Sequence, residues 1–447
     1  MALVDQKPAD SGRTGWNAIL TTREPYATLS DDIEVDFLVV GAGFAGLSAA
    51  RRIRQLNAGA SIAIVDAVEI GDGPAGRSSG FMIDLPHAVS KSGYAGDVEQ
   101  DRRDIRNNRA AIAFARQVSN DWGFEHEAFD PCGKINAAAS AIGVKHNQTY
   151  ATHLSRLGEE CELLDADAMQ ATCGSDYYLG GLRTPGTVMI QPALYLRRFA
   201  SALVERENCQ LFECSPIVEL GEQQDRWKAE TAKGSILASR VILAVNGLIE
   251  TFGFYQKRLM HINLYASMTR VLNTDEMARL GGESSWGFTP SDALGSTVRR
   301  INTSAGDRLL IRNGCTYDPS LQLPSDRLEA VSKAHRRTFD ARFPMLESVA
   351  LEYCWSGRLC LSRNHAPAIA ELKPGLFSAC CQNGLGLTRG TIGGVIAAEM
   401  ASDYKGDSLL PDYDFKTMPN RLIAEPFMSA GARAVLRLKE WRAGREK

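Results

Sequence analysis

No stretch of this 447-residue chain strings together the roughly 20 apolar residues that cross a bilayer, and residues 1–13 are polar, without the apolar core of a signal peptide. The expectation is a cytoplasmic protein with no membrane span. An excess of one charge is missing too: 50 Lys and Arg stand against 53 Asp and Glu, a net of -3. Nothing in that balance calls for a nucleic acid or an anionic surface as partner. The ten cysteines include no Cys-x-x-Cys pair, so no zinc site is expected and the thiols read as reduced and mostly buried. No Ser-His-Asp or Cys-His arrangement is visible by spacing, and there are no internal repeats or low-complexity tracts.

What remains is a chain 44% hydrophobic and long enough for two or three domains with a real core. Residues 1–30 read as an extended arm pinned by Trp16 or Tyr26. The first strong pattern is a nearly continuous apolar run over 35–40, the mark of a strand buried on both faces. It leads into Gly41-Ala42-Gly43-Phe44-Ala45-Gly46, a helical stretch over 47–56, and a second buried strand over 62–65 that closes on Asp66. Gly41 suits a tight turn, Gly43 a close backbone approach to a pyrophosphate, and Gly46 tight packing of helix on strand. Asp66, 25 residues beyond Gly41, stands where a carboxylate accepts both hydroxyls of an adenosine ribose. Together they predict a dinucleotide site.

A strand over 376–381, a glycine-rich loop over 383–390 and an apolar helix over 391–404 appear more than 330 residues later. A second helix N-terminus aimed at the same cleft suits a reducible flavin, whose N1 and C2 carbonyl side gains negative charge on reduction. FAD is therefore expected rather than NAD. Between the two glycine turns, 104–122 and 192–206 look helical, 240–245 looks like a strand, and 262–314 alternates as an antiparallel sheet does. The helix after it is expected over 325–339. Residues 433–447, with six basic and two acidic side chains, read as a solvated surface helix.

The segments Gly41 to Leu47, Ala75-Gly76-Arg77-Ser78-Ser79-Gly80, Leu243-Ala244-Val245-Asn246-Gly247, Trp355-Ser356-Gly357 and Gln382-Asn383-Gly384-Leu385-Gly386 resemble those of the D-amino-acid oxidase, glycine oxidase and sarcosine oxidase superfamily, most closely its gamma-glutamylputrescine oxidase branch. The resemblance covers about 15–410 and implies an α/β protein: a Rossmann-like FAD-binding domain assembled from 31–95, 185–255 and 350–410, with an antiparallel-sheet substrate domain, 96–184 and 256–349, inserted into it. An N-terminal arm (1–30) and a C-terminal tail (411–447) complete the chain.

The same resemblance makes Gly41, Gly43, Phe44, Ala45, Gly46, Asp66 and Ala67 contacts of the pyrophosphate and ribose. Gly76, Arg77, Ser78, Ser79 and Gly80 would line the flavin edge. Val218 would offer its main chain to adenine, Asn246 and Gly247 would close the nucleotide site, and Gly384, Leu385, Gly386, Leu387 and Thr388 would wrap the pyrimidine end of the ring. Asp66 stands where relatives more often carry Glu, and the loop reads Gly-Arg-Ser-Ser-Gly where theirs often reads Gly-Arg-Asn-Gly-Gly. Cys354 does not align with the cysteine that holds flavin covalently in some relatives, so non-covalent FAD is expected.

The activity implied is oxidation of a C–N bond in a primary or secondary amine, an amino acid or polyamine derivative, by hydride transfer to flavin N5. The imine then hydrolyses, and electrons pass to oxygen or another acceptor. Arg312, which interrupts the apolar run 309–311, is a candidate for holding a substrate anion. Tyr265, Trp286 and Trp355 are candidates for an aromatic wall, His261 and His365 for taking the ammonium proton, and Met82, with Asp84 and His87, for the entrance. The alternatives are a 2-hydroxy-acid dehydrogenase of the same superfamily and a flavin-holding subunit without turnover.

Overall fold

The computed structural model describes residues 2–4, 13–86, 94, 96–323 and 326–447. Strand Ile33–Val40 sits at the centre of the first sheet because Val35 and residues 37–40 are apolar and shielded on both faces. Ile62–Val65 and Ser235–Leu243 pair with it in parallel, and Gln210–Phe212 and Leu376–Cys380 extend the parallel set. The antiparallel strands Arg226–Glu230 and Glu219–Gln223 continue the sheet beyond Ser235–Leu243. Apart from the arm strand Ala2–Leu3, the chain therefore enters this sheet in three separated visits.

Helices Phe44–Leu56, Pro192–Glu205 and Gly386–Ala401 cover one face of the sheet, and their apolar sides share one core with Val39, Ile64 and Ile242. Helix Val98–Trp122 belongs to that core as well, through Ile112, Phe114 and Val118. It starts earlier than the expected 104 because the Asp97 side chain caps the Gln100 N–H, and it stops at Gly123 in the left-handed region. So the stretch 98–122, expected with the substrate domain, packs on the nucleotide side.

The glycine-rich stretch expected as a loop over 383–390 is in large part helix: Gly386–Ala401 is continuous. Its glycines serve packing. A Cβ at Gly390 would lie 3.2 Å from Phe44 Cβ, and one at Gly394 only 2.1 Å from the Ala45 carbonyl. The two nucleotide helices thus approach closer than any larger residue permits. Arg52 and Glu399 lock them together, with Arg52 Nη2 2.7 Å from Glu399 Oε1.

The second sheet runs Leu351–Ser362, Leu259–Thr269, Gly306–Tyr317, Thr297–Thr303, Trp286–Pro290, Lys134–Ala138, Gly180–Thr184 and Glu162–Leu164. Only the pair Trp286–Pro290 with Lys134–Ala138 is parallel. Residues 351–362, expected in the FAD-binding segment, form an edge strand here, and the chain rejoins the first sheet only at Ala368–Lys373. Helix Arg327–Arg342 covers one face of the second sheet, burying Phe339 and Phe343 against Trp286, Phe288, Leu309 and Ile311. Alternation along each strand turns the opposite face, which carries Leu310 and Arg312, toward the first sheet.

The arm is tied down at two points. Ala2–Leu3 pairs with Glu219–Gln223, and Trp16 is fully buried among Met268, Leu310 and Trp355 while its Nε1 donates to the Ser78 carbonyl at 2.8 Å. Tyr26 is held by its main chain, whose N–H donates to Glu213 at 2.6 Å. The tail forms helix Phe427–Ala443, exposed along one side, and ends with the Glu446 carboxylate buried on Ala139 N–H and Ser140 Oγ. Trp16→Ala removes a buried ring and one buried hydrogen bond and is expected to cost about 3–5 kcal/mol in chemical denaturation. Phe427→Ala, at a position 73% exposed, is the control and shifts the same curve by no more than about 0.5 kcal/mol.

Candidate active site

Between the sheets lies a cavity of about 1980 Å³, its solvent-open mouth included. One end is built by the turn after strand Ile33–Val40. Gly41 holds φ +105°, and a Cβ there would stand 2.6 Å from the Ala244 carbonyl; a Cβ at Gly46 would stand 1.7 Å from the Gly41 carbonyl. Only glycine allows this turn. Helix Phe44–Leu56 starts at Gly43 and helix Gly386–Ala401 starts after Leu385, and neither start has a side-chain cap. Both present unpartnered main-chain N–H groups and a positive dipole end to the cavity wall.

Asp66 lines the cavity beside that turn, its carboxylate accepting from Ala42 N–H at 2.7 Å and Val68 N–H at 3.0 Å. Burial nevertheless pushes its carboxyl up to about 6. Gly41, Gly43, Phe44, Ala45, Ala67, Gly76, Ser78, Ser79, Asn246, Gly247, Gly384, Gly386 and Leu387 line the same cavity. So do Ser215, Pro216, Ile217, Gln382 and Asn383.

Six of the residues expected at the cofactor are not among those lining the cavity. Gly46 packs helix on turn. Val218 spends its N–H on Glu230 and its carbonyl on Val4 in the sheet, leaving the wall to Pro216 and Ile217. Arg77 is a buried strut, its Nε on the Asp72 carbonyl at 2.6 Å and its Nη1 on the Ser356 carbonyl at 3.1 Å. Gly80 sits against the Ile190 carbonyl, Leu385 packs with Phe81 and Met189, and Thr388 Oγ1 donates to the Ile83 carbonyl at 3.2 Å.

Sequence reasoning missed Arg299. Fully buried, it donates from Nη1 to the carbonyls of Ser79, Gly80 and Ile190 at 2.8, 3.1 and 2.9 Å, and burial lowers its guanidinium to about 10. It straps the 76–80 loop to the second sheet. Its strand alternates as an edge or centre strand would, so only an arginine on the cavity-facing side offered a signal.

At the other end, Tyr265, Leu264, Arg312, Leu321 and Arg358 line the wall. The Tyr265 hydroxyl pairs with Thr316 Oγ1 at 2.6 Å. Burial lowers the Arg312 guanidinium. His261 also lines the cavity, but against Gly247 and Cys360, with Nε2 2.6 Å from Glu250 Oε2. Trp286 is turned away: stacked on Phe288 with ring centroids 4.3 Å apart, it belongs to the core behind the sheet. Trp355 is wholly buried with Trp16 and donates from Nε1 to the Arg77 carbonyl. Met82 packs in the first-sheet core, and Asp84, also buried, accepts from Arg109 and Thr187. His365 is exposed in a turn outside the cavity, Cys354 faces the Leu328 carbonyl, and His87 lies outside the described residues.

The donor set fits FAD. Two uncapped helix starts suit a pyrophosphate and an electron-accepting ring, and Asp66 suits a ribose. A carboxylate accepts ribose hydroxyls best when ionised, so with Asp66 at the ribose FAD binding would expel the proton that the free carboxyl takes up below about pH 6. Titration of cofactor-free protein, followed by flavin fluorescence, is expected to show affinity steady above that pH and falling below it, toward about tenfold per unit. Asp66→Asn is expected to weaken binding at pH 7.5 and to flatten the profile.

A family model described as FAD dependent oxidoreductase (DAO) matches residues 36–400. The gamma-glutamylputrescine oxidoreductase of Escherichia coli is 24% identical over 422 residues, 91% of this chain and 93% of that protein. A probable oxidoreductase OrdL of Haemophilus influenzae is 23% identical over 385 residues, 84% of each. In fold the chain is similar to glycine oxidase from Geobacillus kaustophilus, with TM-score 0.68 at 16% identity over 88% of this chain and 100% of that one. It is likewise similar to L-amino acid deaminase from Proteus myxofaciens, with TM-score 0.63 at 12% identity over 89% and 95%. With the family match spanning most of the chain and the cavity presenting its cofactor's donor set, the chain belongs to the DAO family of FAD-dependent oxidoreductases.

Proposed function

We propose that the protein oxidises the C–N bond of a primary or secondary amine that also carries a carboxylate or a similar anion. The observation that carries this reading is Arg312. Its guanidinium is drawn out of bulk water at the cavity wall, and among the described residues it has no hydrogen-bond or ion-pair partner. A half-buried cation without a counter-ion is costly, and a planar guanidinium matches a carboxylate in bidentate fashion. The ligand's anion completes the site.

The acid and base inventory favours an amine over a hydroxy acid. Among the described residues the only carboxylates and imidazoles on the cavity wall are Asp66, Glu69 and His261. The first two belong to the ribose end. His261 is four residues before Tyr265 on the same strand, about 13 Å along it, and is engaged with Glu250. A hydroxyl requires a base beside it as the adjacent hydride leaves, whereas an amine that arrives neutral does not. Bound FAD supplies the two-electron acceptor for the hydride on the carbon next to nitrogen. Arg312 fixes the anion, Tyr265 and Leu264 shape the wall beside it, and the imine released is hydrolysed by water.

Anaerobic titration of the holoenzyme with a panel of amines is expected to bleach the flavin with carboxylated amines and to leave it oxidised with the matching 2-hydroxy acids. Bleaching by the hydroxy acids alone overturns the reading. Arg312→Ala is expected to raise KM for the carboxylated amine by about 10- to 100-fold, the loss of one charged hydrogen-bonded pair, while KM for its carboxamide analogue stays within about twofold.

A further inference from the structure

The exposed apolar side chains of this protein are not scattered. Of the twelve large hydrophobic residues exposed among the described ones, eight lie beyond residue 400. Helix Phe427–Ala443 carries four of them: Phe427 at 73% exposure, Val435 at 52%, Leu438 at 47% and Trp441 at 79%. At about 100° per residue, Phe427, Ala434, Leu438 and Trp441 fall within about 60° of one another, and Arg437 and Arg442 lie about 40° outside that stripe, one on each side. The opposite side, Leu436, Glu440 and Ala443, is the less exposed one and faces strand Gly306–Tyr317.

Charge is sorted the same way. The acids of 421–447 are all engaged: Glu440 with Cys315 N–H and Lys447, Glu446 with Ala139 and Ser140, and Glu425, exposed just before the helix, with Tyr317 and the Ser429 N–H. Arg433, Arg437 and Arg442 are exposed and form no ion pair among the described residues. Within helix Phe427–Ala443 the one acid, Glu440, lies on the inward side, so the helix's outward side holds only apolar and cationic large side chains. A net charge near zero over the whole chain hides this local asymmetry.

We infer that helix Phe427–Ala443 is a docking surface for an anionic lipid bilayer, lying in the plane of the headgroups. Trp441, Leu438 and Phe427 would enter the acyl boundary while Arg437 and Arg442 extend their stems alongside and reach the phosphates. A second copy of the chain is the less suitable occupant. A two-fold contact of stripe on stripe brings the flanking arginines of both copies together with no acid to separate them.

The test uses the full-length holoenzyme and vesicles of phosphatidylcholine alone or of three parts phosphatidylcholine to one part phosphatidylglycerol. The protein is expected to co-sediment with the mixed vesicles only, and less as salt is raised. Arg437→Gln and Arg442→Gln are each expected to weaken binding about five-fold, the effect of one cation near such a surface. Leu438→Ser with Trp441→Ser is expected to abolish it while turnover and thermal stability in solution stay unchanged. No binding to the mixed vesicles overturns the inference. So does equal binding to both vesicle types, or a dimer in sedimentation velocity that the serine pair dissociates.

Discussion

The architecture depends on backbones approaching one another more closely than any side chain allows. A Cβ at Gly46 would stand 1.7 Å from the Gly41 carbonyl, and one at Gly394 would stand 2.1 Å from the Ala45 carbonyl. The first closes the strand-to-helix turn near residue 41, and the second brings to it a helix more than 340 residues later. Once the two helices touch, their uncapped starts converge on the same cavity. Convergence of two positive dipole ends is unfavourable in an empty space and favourable around a pyrophosphate and a ring that gains negative charge. The packing thus creates an electrostatic demand that the cofactor meets.

A second constraint joins the sheets. The loop 76–80 is held from the arm by Trp16, from the substrate sheet by Arg299 and Trp355, and from its own Arg77, which grips the Ser356 carbonyl. Nearly all of these bonds end on main-chain carbonyls, so they fix the path of the loop rather than the identity of its side chains. Ser78 and Ser79 are left lining the cavity. The N-terminal arm is for this reason part of the site's framework: removing its tryptophan loosens the same loop that a distant arginine positions.

Periodicity made the nucleotide half legible. Strand 62–65 and the core of strand 35–40 stand where the apolar runs put them, and the alternation over 262–314 resolves into four strands. The strands Lys134–Ala138 and Gly180–Thr184 gave no such signal, each having a single large apolar residue beside two alanines or two glycines, and their place in the sheet comes from pairing with other strands. Trp286 and Arg312 show a different limit. Alternation separates the two faces of a strand but does not say which one meets the cavity, so an aromatic on the core face and an arginine on the cavity face looked equally suitable. Arg299 escaped notice because its partners are carbonyls 109 to 220 residues away. Gly386 and Gly390 read as loop residues because sequence shows that small residues are required but not whether a bend or a neighbouring helix requires them.

The two ends of the cavity handle charge in opposite ways, and the contrast bears on what enters. At the ribose end the buried carboxylate of Asp66 already accepts two main-chain N–H groups, so the protein has prepaid part of the cost of keeping it ionised. At the far end Arg312 has no such support among the described residues. A cation left unsupported is a weak feature for stability and a strong one for selection, because an anionic ligand gains the whole interaction while a neutral one of the same shape gains none. Had the site been shaped for uncharged amines alone, an apolar residue continuing the run Leu309, Leu310, Ile311 would have packed there without a desolvation cost. On the proposed reading, the charge at that position, on the face turned to the cavity, would tie discrimination among substrates to a single side chain.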